Sequence, residues 1–333
     1  MSELRKDPLV SRWVVMAPER ARRPVEVKDE PRLSAPQFDP FGEGNECETT
    51  SEVLAYRQPG TRSDGPGWRV RVVPNKFPAL HTSMDAAASG SELYQSMPAF
   101  GIHEVIIECP HDEANLSHLS YENIREVLTA YRERFLGLKR DLRLAHAIIF
   151  KNQGALAGAS VHHSHSQLMA TPYVPAAIRE ELTGAADYYQ RHGRCVFEDI
   201  IRQEQGDATR VVTETENYIL FCPYASRFAY ETCILPKNPG SHFENTQDSH
   251  LGELAAVLKL NLQRLEECLG NPPLNYFLHS APLQTPESPD YRWHFEVFPR
   301  LTRIAGYEWG SECYINEVLP EVAAAKLRLP SEN

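Results

Sequence analysis

The chain reads as an α+β protein made of two tandem copies of one unit, each an antiparallel sheet with helices. Three observations lead there. Its 333 residues exceed the size of one ordinary compact core, which favours two domains. Apolar runs of strand length alternate with long segments of helical periodicity. Above all, the order of elements in the first half recurs in the second.

In the first half, His103–Pro110 reads as a strand closed by proline. Ser120 can cap a helix carrying Ile124, Val127, Leu128, Tyr131 and Phe135 at helical spacing. Ala145–Phe150 is a second apolar strand, and His163-Ser-His165 follows. In the second half, Glu231–Pro236 is again a strand closed by proline. Ser249 can cap a helix carrying Leu251, Leu254, Leu258, Leu262 and Leu265. Asn275–Leu278 is a strand, and His294-Phe-Glu296 follows. Ser249 lies 129 residues after Ser120, and His294 and Glu296 lie 131 after His163 and His165. On this count His294-x-Glu296 stands in the place of the two histidines, so one half is expected to be catalytic and the other supporting. Residues 28–68 and 82–98 are rich in Pro, Gly, Ser and acidic side chains and read as loops. Between them Trp68–Val73 reads as a strand.

Composition narrows the function. The hydrophobic fraction of 42% and charged fraction of 24% are globular values. Lys and Arg number 34 against 45 Asp and Glu, a net charge of −11, which argues against a nucleic-acid surface. A phosphate-bearing ligand would need a local positive pocket. The seven cysteines form no C-x-x-C, so reduced thiols in a cytoplasmic setting are expected rather than a disulfide scaffold. The start, Met-Ser-Glu-Leu-Arg-Lys, carries no apolar core of a signal peptide. No apolar run approaches membrane-spanning length, and no membrane partner is expected.

The chemistry concentrates in Gly158-Ala-Ser160-Val-His162-His163-Ser-His165-Ser-Gln167. In an extended strand, His163, His165 and Gln167 share one face. Such a face is too polar for a core. It suits an imidazole that attacks phosphorus and an amide that donates to a phosphate oxygen, with the second ring nitrogen pinned by an acceptor. By spacing alone the three clustered histidines serve equally well as zinc ligands.

These residues resemble the galactose-1-phosphate uridylyltransferase family of the histidine-triad superfamily. The likeness extends through Arg20-Ala-Arg-Arg23-Pro24, Asn75-Lys-Phe-Pro-Ala-Leu80, Phe150-Lys-Asn152-Gln-Gly154, His163-Ser-His-Ser-Gln167, His279-Ser-Ala-Pro and Gly306-Tyr-Glu308. The wording of Glu3–Pro8 and Lys151–Ala155 is similar to the plant ADP-glucose phosphorylase branch. The resemblance implies two histidine-triad-like halves, set here at 1–178 (catalytic) and 179–333. It also implies a ping-pong transfer through a nucleotidyl-His165 intermediate. Gln167 would support the phosphates, where histidine-triad hydrolases carry a third histidine. Ser160 and Asn152 match phosphate-contacting positions. Arg20, Arg23 and Asn75 match the nucleotide-binding side. The expected partners are a nucleotide sugar and a sugar 1-phosphate or phosphate, in a homodimer.

Two functional readings follow. One is UMP transfer from UDP-glucose to galactose 1-phosphate, the family default. The other is adenylyl transfer from ADP-glucose to phosphate. A hydrolase and a non-catalytic nucleotide-binding module are the minor alternatives. Departures from the family bear on metal. Its N-terminal zinc site uses a C-x-x-C where this chain has Asp39-Pro-Phe-Gly42. A third ligand position falls at His111-Asp112 and the fourth at His163, so this zinc is expected to be lost. A second site, Glu181 (or Glu180), His279, His294 and Glu296, is expected to accept one zinc or iron, or else to form a metal-free polar cluster.

Overall fold

A computed structural model describes residues 2–22, 38–83 and 86–329. Ten strands form one continuous antiparallel sheet. They are numbered here β1 (Leu54–Arg57), β2 (Trp68–Pro74), β3 (Ile102–Ile107), β4 (His146–Gln153), β5 (His165–Thr171), β6 (Val211–Glu214), β7 (Tyr218–Phe221), β8 (Thr232–Pro236), β9 (Leu274–His279) and β10 (His294–Pro299). Their order across the sheet is β6-β7-β8-β10-β9-β4-β5-β3-β2-β1. Each half therefore contributes five strands in the same internal order, and the repeat is the reason. The halves join where β4 meets β9, with Phe150 opposite Phe277.

This register revises one equivalence drawn from the sequence. Phe150 pairs with Gln167 in the first half, and Phe277 pairs with Glu296 in the second. With the Phe150–Phe277 pair taken as the centre of the repeat, Glu296 stands in the place of Gln167. His294 then stands in the place of His165, not of His163. The ring bonds agree: His165 Nδ1 lies 2.8 Å from the His163 carbonyl, and His294 Nδ1 lies 3.0 Å from the Arg292 carbonyl. A spacing of 129, the one that relates Ser120 to Ser249, is the correct one.

Helices α1 (Tyr121–Leu138) and α4 (Asp248–Leu269) lie on one face of the sheet and touch each other. The buried stripe of α1 is the expected set, Ile124, Val127, Leu128, Tyr131 and Phe135, packed with Ile106, Ile149 and Leu168 from the strands. The same core includes Leu254, Leu258 and Phe295, so both halves share it. Ser120 caps α1 by accepting from the Asn123 amide. The expected cap of α4 shifts: Gln247 holds that position, and Asp248 in the first turn offers charge to the helix dipole in place of a side-chain cap. Helices α2 (Ala176–His192) and α3 (Val196–Asp207) cover the opposite face over the second half, around Ile219, Phe221, Cys233 and Leu235.

The 28–68 loop also needs correction. Within it, Leu54–Arg57 is strand β1, the edge of the sheet, paired with β2. Four half-buried residues are too few to show a period of two. Residues 28–37 of that stretch lie outside the described residues, as do 84 and 85 of the 82–98 stretch. The remainder of the latter holds only the two-residue pair Ser89–Gly90 with Gln95–Ser96.

Candidate active site

Strand β5 delivers its alternation as read. Ser166 turns to the helix face, where the Tyr131 hydroxyl donates to it at 2.5 Å, and Ser164, just before the strand, bonds Glu108 there at 2.6 Å. His165 and Gln167 turn to the opposite face, as does His163 just before the strand begins.

Burial pushes His165 well down, to about 4, so its ring is neutral across the physiological range. With Nδ1 donating to the His163 carbonyl, the lone pair sits on Nε2, which suits a nucleophile. The Phe41 ring meets both His163 and His165 edge-on, at centroid distances of 6.1 and 5.3 Å.

Beneath the strand lies a buried charge cluster that sequence reasoning did not find. Lys151 Nζ donates to Glu108 at 2.5 Å, to Ser164 Oγ at 3.0 Å and to the backbone carbonyl of His165 at 3.0 Å. Burial alone would raise the Glu108 carboxyl, but the Lys151 ammonium and the Ser164 hydroxyl hold it below the usual range. Tyr131 and Tyr276, one from each half, join hydroxyls at 2.6 Å beside it. Only a charged residue at alternate positions of a strand, as at Lys151, could have signalled this.

His163 is held at both nitrogens. Nδ1 lies 2.6 Å from Asp39 Oδ2, and Nε2 lies 2.8 Å from the Cys109 carbonyl. Both acceptors call for a hydrogen on the ring. Asp39, Asp112 and His163 bring ligand atoms within 4.8 Å of one another. No thiolate is among them: burial lifts the neighbouring Cys109 thiol to about 12. The two-thiolate zinc set of the family therefore does not fit these residues.

The other expected residues divide. Asn75 reaches Gln167 through His103, whose Nε2 lies 3.2 Å from Asn75 Nδ2 and 2.9 Å from Gln167 Oε1. Asn152 accepts from Asn275 Nδ2 at 2.8 Å, and Ser160 is exposed on the loop from β4 to β5. Arg20, 3.9 Å from Glu317, shares with Asn152, His162 and His163 a cavity of about 1120 Å3, whose far wall carries Arg300, Glu308 and Trp309. Arg23 lies outside the described residues.

In the second half, Glu181, His279 and His294 converge, their ligand atoms within 4.8 Å of one another. Glu180 is exposed and takes no part. Glu181 bonds His279 Nδ1 at 3.1 Å and accepts from the Tyr291 hydroxyl at 3.0 Å. The fourth expected ligand, Glu296, is engaged elsewhere: Arg227 Nη2 donates to it at 2.5 Å and also bonds Glu231. Two imidazoles and one carboxylate at this spacing suit a zinc or iron ion, with an open position left for water.

The models for the N-terminal and C-terminal domains of galactose-1-phosphate uridyl transferase match residues 1–175 and 181–332. ADP-glucose phosphorylase from Arabidopsis thaliana is 36% identical, over 98% of this chain and 92% of its own length. Galactose-1-phosphate uridylyltransferase from Haemophilus influenzae is 28% identical, over 98% and 94%. Among solved structures, an Arabidopsis thaliana ADP-glucose phosphorylase with bound ADP-glucose superposes with a TM-score of 0.85 at 34% identity, covering 99% of this chain and all of that one. A uridylyltransferase structure gives 0.77 at 29%, covering 98% and 97%. With a family model over more than half its length and its fold shared throughout, the chain belongs to the galactose-1-phosphate uridyl transferase family and is a nucleotidyltransferase.

Proposed function

We propose that the protein moves a nucleoside monophosphate from a nucleotide sugar to a phosphate-bearing acceptor through a phosphoramidate on His165. The observation that carries this is the neutral, buried His165 with Nδ1 tied to a carbonyl and Nε2 free. Nε2 attacks the α-phosphorus. An N–P bond forms, the bond from phosphorus to the bridging oxygen breaks, and the sugar 1-phosphate leaves. An acceptor phosphate oxygen then attacks the same phosphorus and the N–P bond breaks. The ring gains positive charge on attack, which the Nδ1–H to carbonyl bond stabilises. Gln167 donates to the phosphate oxygens, while Asn152, Ser160 and Arg20 (with Arg23) bind the rest of the anion.

Adenylyl transfer with inorganic phosphate as acceptor is the reading favoured for base and acceptor. It is supported by the 36% identity to a phosphorylase, against 28% to a uridylyltransferase, and by the higher TM-score. Uridylyl transfer to a hexose 1-phosphate is the second reading and uses the same steps.

The residues 1–178 would form the catalytic half and 179–333 the supporting one. Glu181, His279 and His294 would hold one zinc or iron, whose role there is to clamp α2 to strands β9 and β10. The Asp39–His163 pair serves without zinc in the first half. The protein would work as a cytoplasmic homodimer.

The test is incubation with ADP-glucose and, separately, UDP-glucose, followed by intact-mass measurement. An acid-labile AMP adduct, absent in His165→Gly, is expected. No adduct from either sugar refutes the covalent route, and a UMP adduct alone selects the second reading.

A further inference from the structure

His103 was singled out by no motif, yet its ring lies against two residues of the site, Asn75 and Gln167. It stands on β3, two residue pairs along from Gln167 on the neighbouring strand and on the same face: Val105 is opposite Gln167, and His103 is opposite Met169. Two backbone amides decide how the group is polarised. The Ala79 N–H points at His103 Nδ1 at 3.2 Å. A backbone N–H can only donate, so Nδ1 accepts and the ring hydrogen lies on Nε2. That Nε2–H meets Gln167 Oε1 at 2.9 Å. The Phe77 N–H donates to Asn75 Oδ1 at 2.8 Å in the same way. Both amide oxygens are thereby spent inside the protein. Asn75 Nδ2, 3.2 Å from a ring nitrogen that already carries hydrogen, has its own hydrogens left for another partner, as does Gln167 Nε2.

We infer that His103 is a positioning residue for nucleotidyl transfer. It holds the Gln167 amide with its oxygen inward and its NH2 group turned to the reacting phosphate. Without it the amide can flip, and a flipped amide presents oxygen to an anion. The inference rests on the nucleotidyl-transfer reading above. It extends that reading to a histidine whose ring never touches the reacting atoms.

The experiment measures nucleotidylation of His165 in a single turnover, with kcat and KM for the nucleotide sugar, in His103→Leu, His103→Gln and His103→Glu. Glutamine can return the donor to Gln167; leucine cannot; glutamate offers an acceptor that draws the NH2 group inward. Removing one preorganised donor from a transition state costs about 100- to 1,000-fold, and His103→Leu only frees the donor to turn, so it should lower kcat by about 10- to 100-fold with little change in KM. His103→Gln should recover most of that loss, and His103→Glu should be slower than His103→Leu. A purely structural role would move thermal stability and leave no order among the three. Wild-type rates in His103→Leu, or a glutamine variant no faster than the leucine one, overturn the inference. If leucine prevents folding, the ratio of the glutamine and glutamate variants decides it: a glutamate variant as fast as glutamine refutes it. No adduct in the wild-type protein refutes the transfer reading, and this inference with it. An adduct in the wild type with unchanged variants refutes this inference alone.

Discussion

His165 carries the sharpest consequence of burial. Its ring falls from the usual 6.5 to about 4 because the charged form loses its water. The neutral, nucleophilic form therefore persists well below the ordinary histidine range. The rate of His165 nucleotidylation should stay level from pH 8 to about 5 and fall only as pH nears 4. Rapid-quench measurement of the adduct against pH checks this, and a decline centred near 6.5 would contradict it. The same depression has a stability sign. The unfolded chain takes up a proton below 6.5 and the native ring does not. The contribution is thus complete above 6.5 and is lost as pH falls through the interval down to about 4. It amounts to roughly 3 kcal/mol. The alternation of H-x-H-x-Q, on which the proposed nucleophile rests, was legible in the sequence, because it needs only a strand. The bonds of its neighbours, His103 to Gln167 and Asp39 to His163, were not. Each neighbour lies far from the motif in sequence, 62 and 126 residues from His165, and only the β3–β5 pairing and the 39–45 turn bring them near.

At the scale of elements, the nucleophile strand is tethered from both sides. On the outer side, Asp39 Oδ2 holds His163 Nδ1 at 2.6 Å, and the turn that carries it is fixed in three places. The Phe41 amide donates to Asp39 Oδ1 at 3.0 Å, Asn45 Nδ2 donates to the Asp39 carbonyl at 2.8 Å, and the Glu43 amide donates to the Pro110 carbonyl at 2.8 Å. A Cβ at Gly42 would lie 2.8 Å from Asp39 Oδ2, so positions 39 and 42 aim at one spot. The family's C-x-x-C was expected to be missing at Asp39-Pro-Phe-Gly42, and the turn is held there by hydrogen bonds in place of thiolates. The double change Asp39→Cys with Gly42→Cys should gain about one zinc per chain together with His163, read by metal analysis, whereas the wild type should hold none at this place. Asp39→Asn should lower kcat while leaving KM nearly unchanged, because the His163 carbonyl that orients His165 loses its anchor.

On the inner side, Lys151 and Glu108 are 1% and 0% exposed. Breaking such a pair leaves an uncompensated buried charge, which costs about 3–5 kcal/mol. Lys151→Met should therefore destabilise the fold by about that much in urea denaturation, and Lys151→Met with Glu108→Leu should cost clearly less. Equal losses in the single and double variants would mean that packing, not charge, sets the effect. The sequence hid this cluster because a lone lysine in an apolar strand gives no sign of its partner two strands away.

The ten-stranded sheet is built from two copies, and the copies differ in the side chains that their site face carries. His294 has the ring bond and strand position of His165, and Glu296 has the position of Gln167. Yet where Gln167 places a neutral amide, which can donate to an anion, Glu296 places a carboxylate, which repels one. Its charge is matched by the half-buried Arg227, which is shared with Glu231. Helix α2 then closes over the position with Glu181, and Tyr291 and Phe197 fill the space beside His294. Under the proposed function, the first copy would hold phosphate where the second gathers Glu181, His279 and His294, a set that suits a cation. The repeat was readable from residue spacing, but the spacing alone misplaced the twin by one strand step, since loops of unequal length separate the elements. Two results should follow from this division. His165→Gly should carry no nucleotide on His294, as peptide mapping after incubation with ADP-glucose would show. Zinc added to metal-stripped protein should raise the melting temperature, and His279→Ala should abolish that rise while the rate of nucleotidylation at His165 stays close to that of the wild type. A lost adduct in metal-stripped protein would instead tie the second half directly to the chemistry of the first.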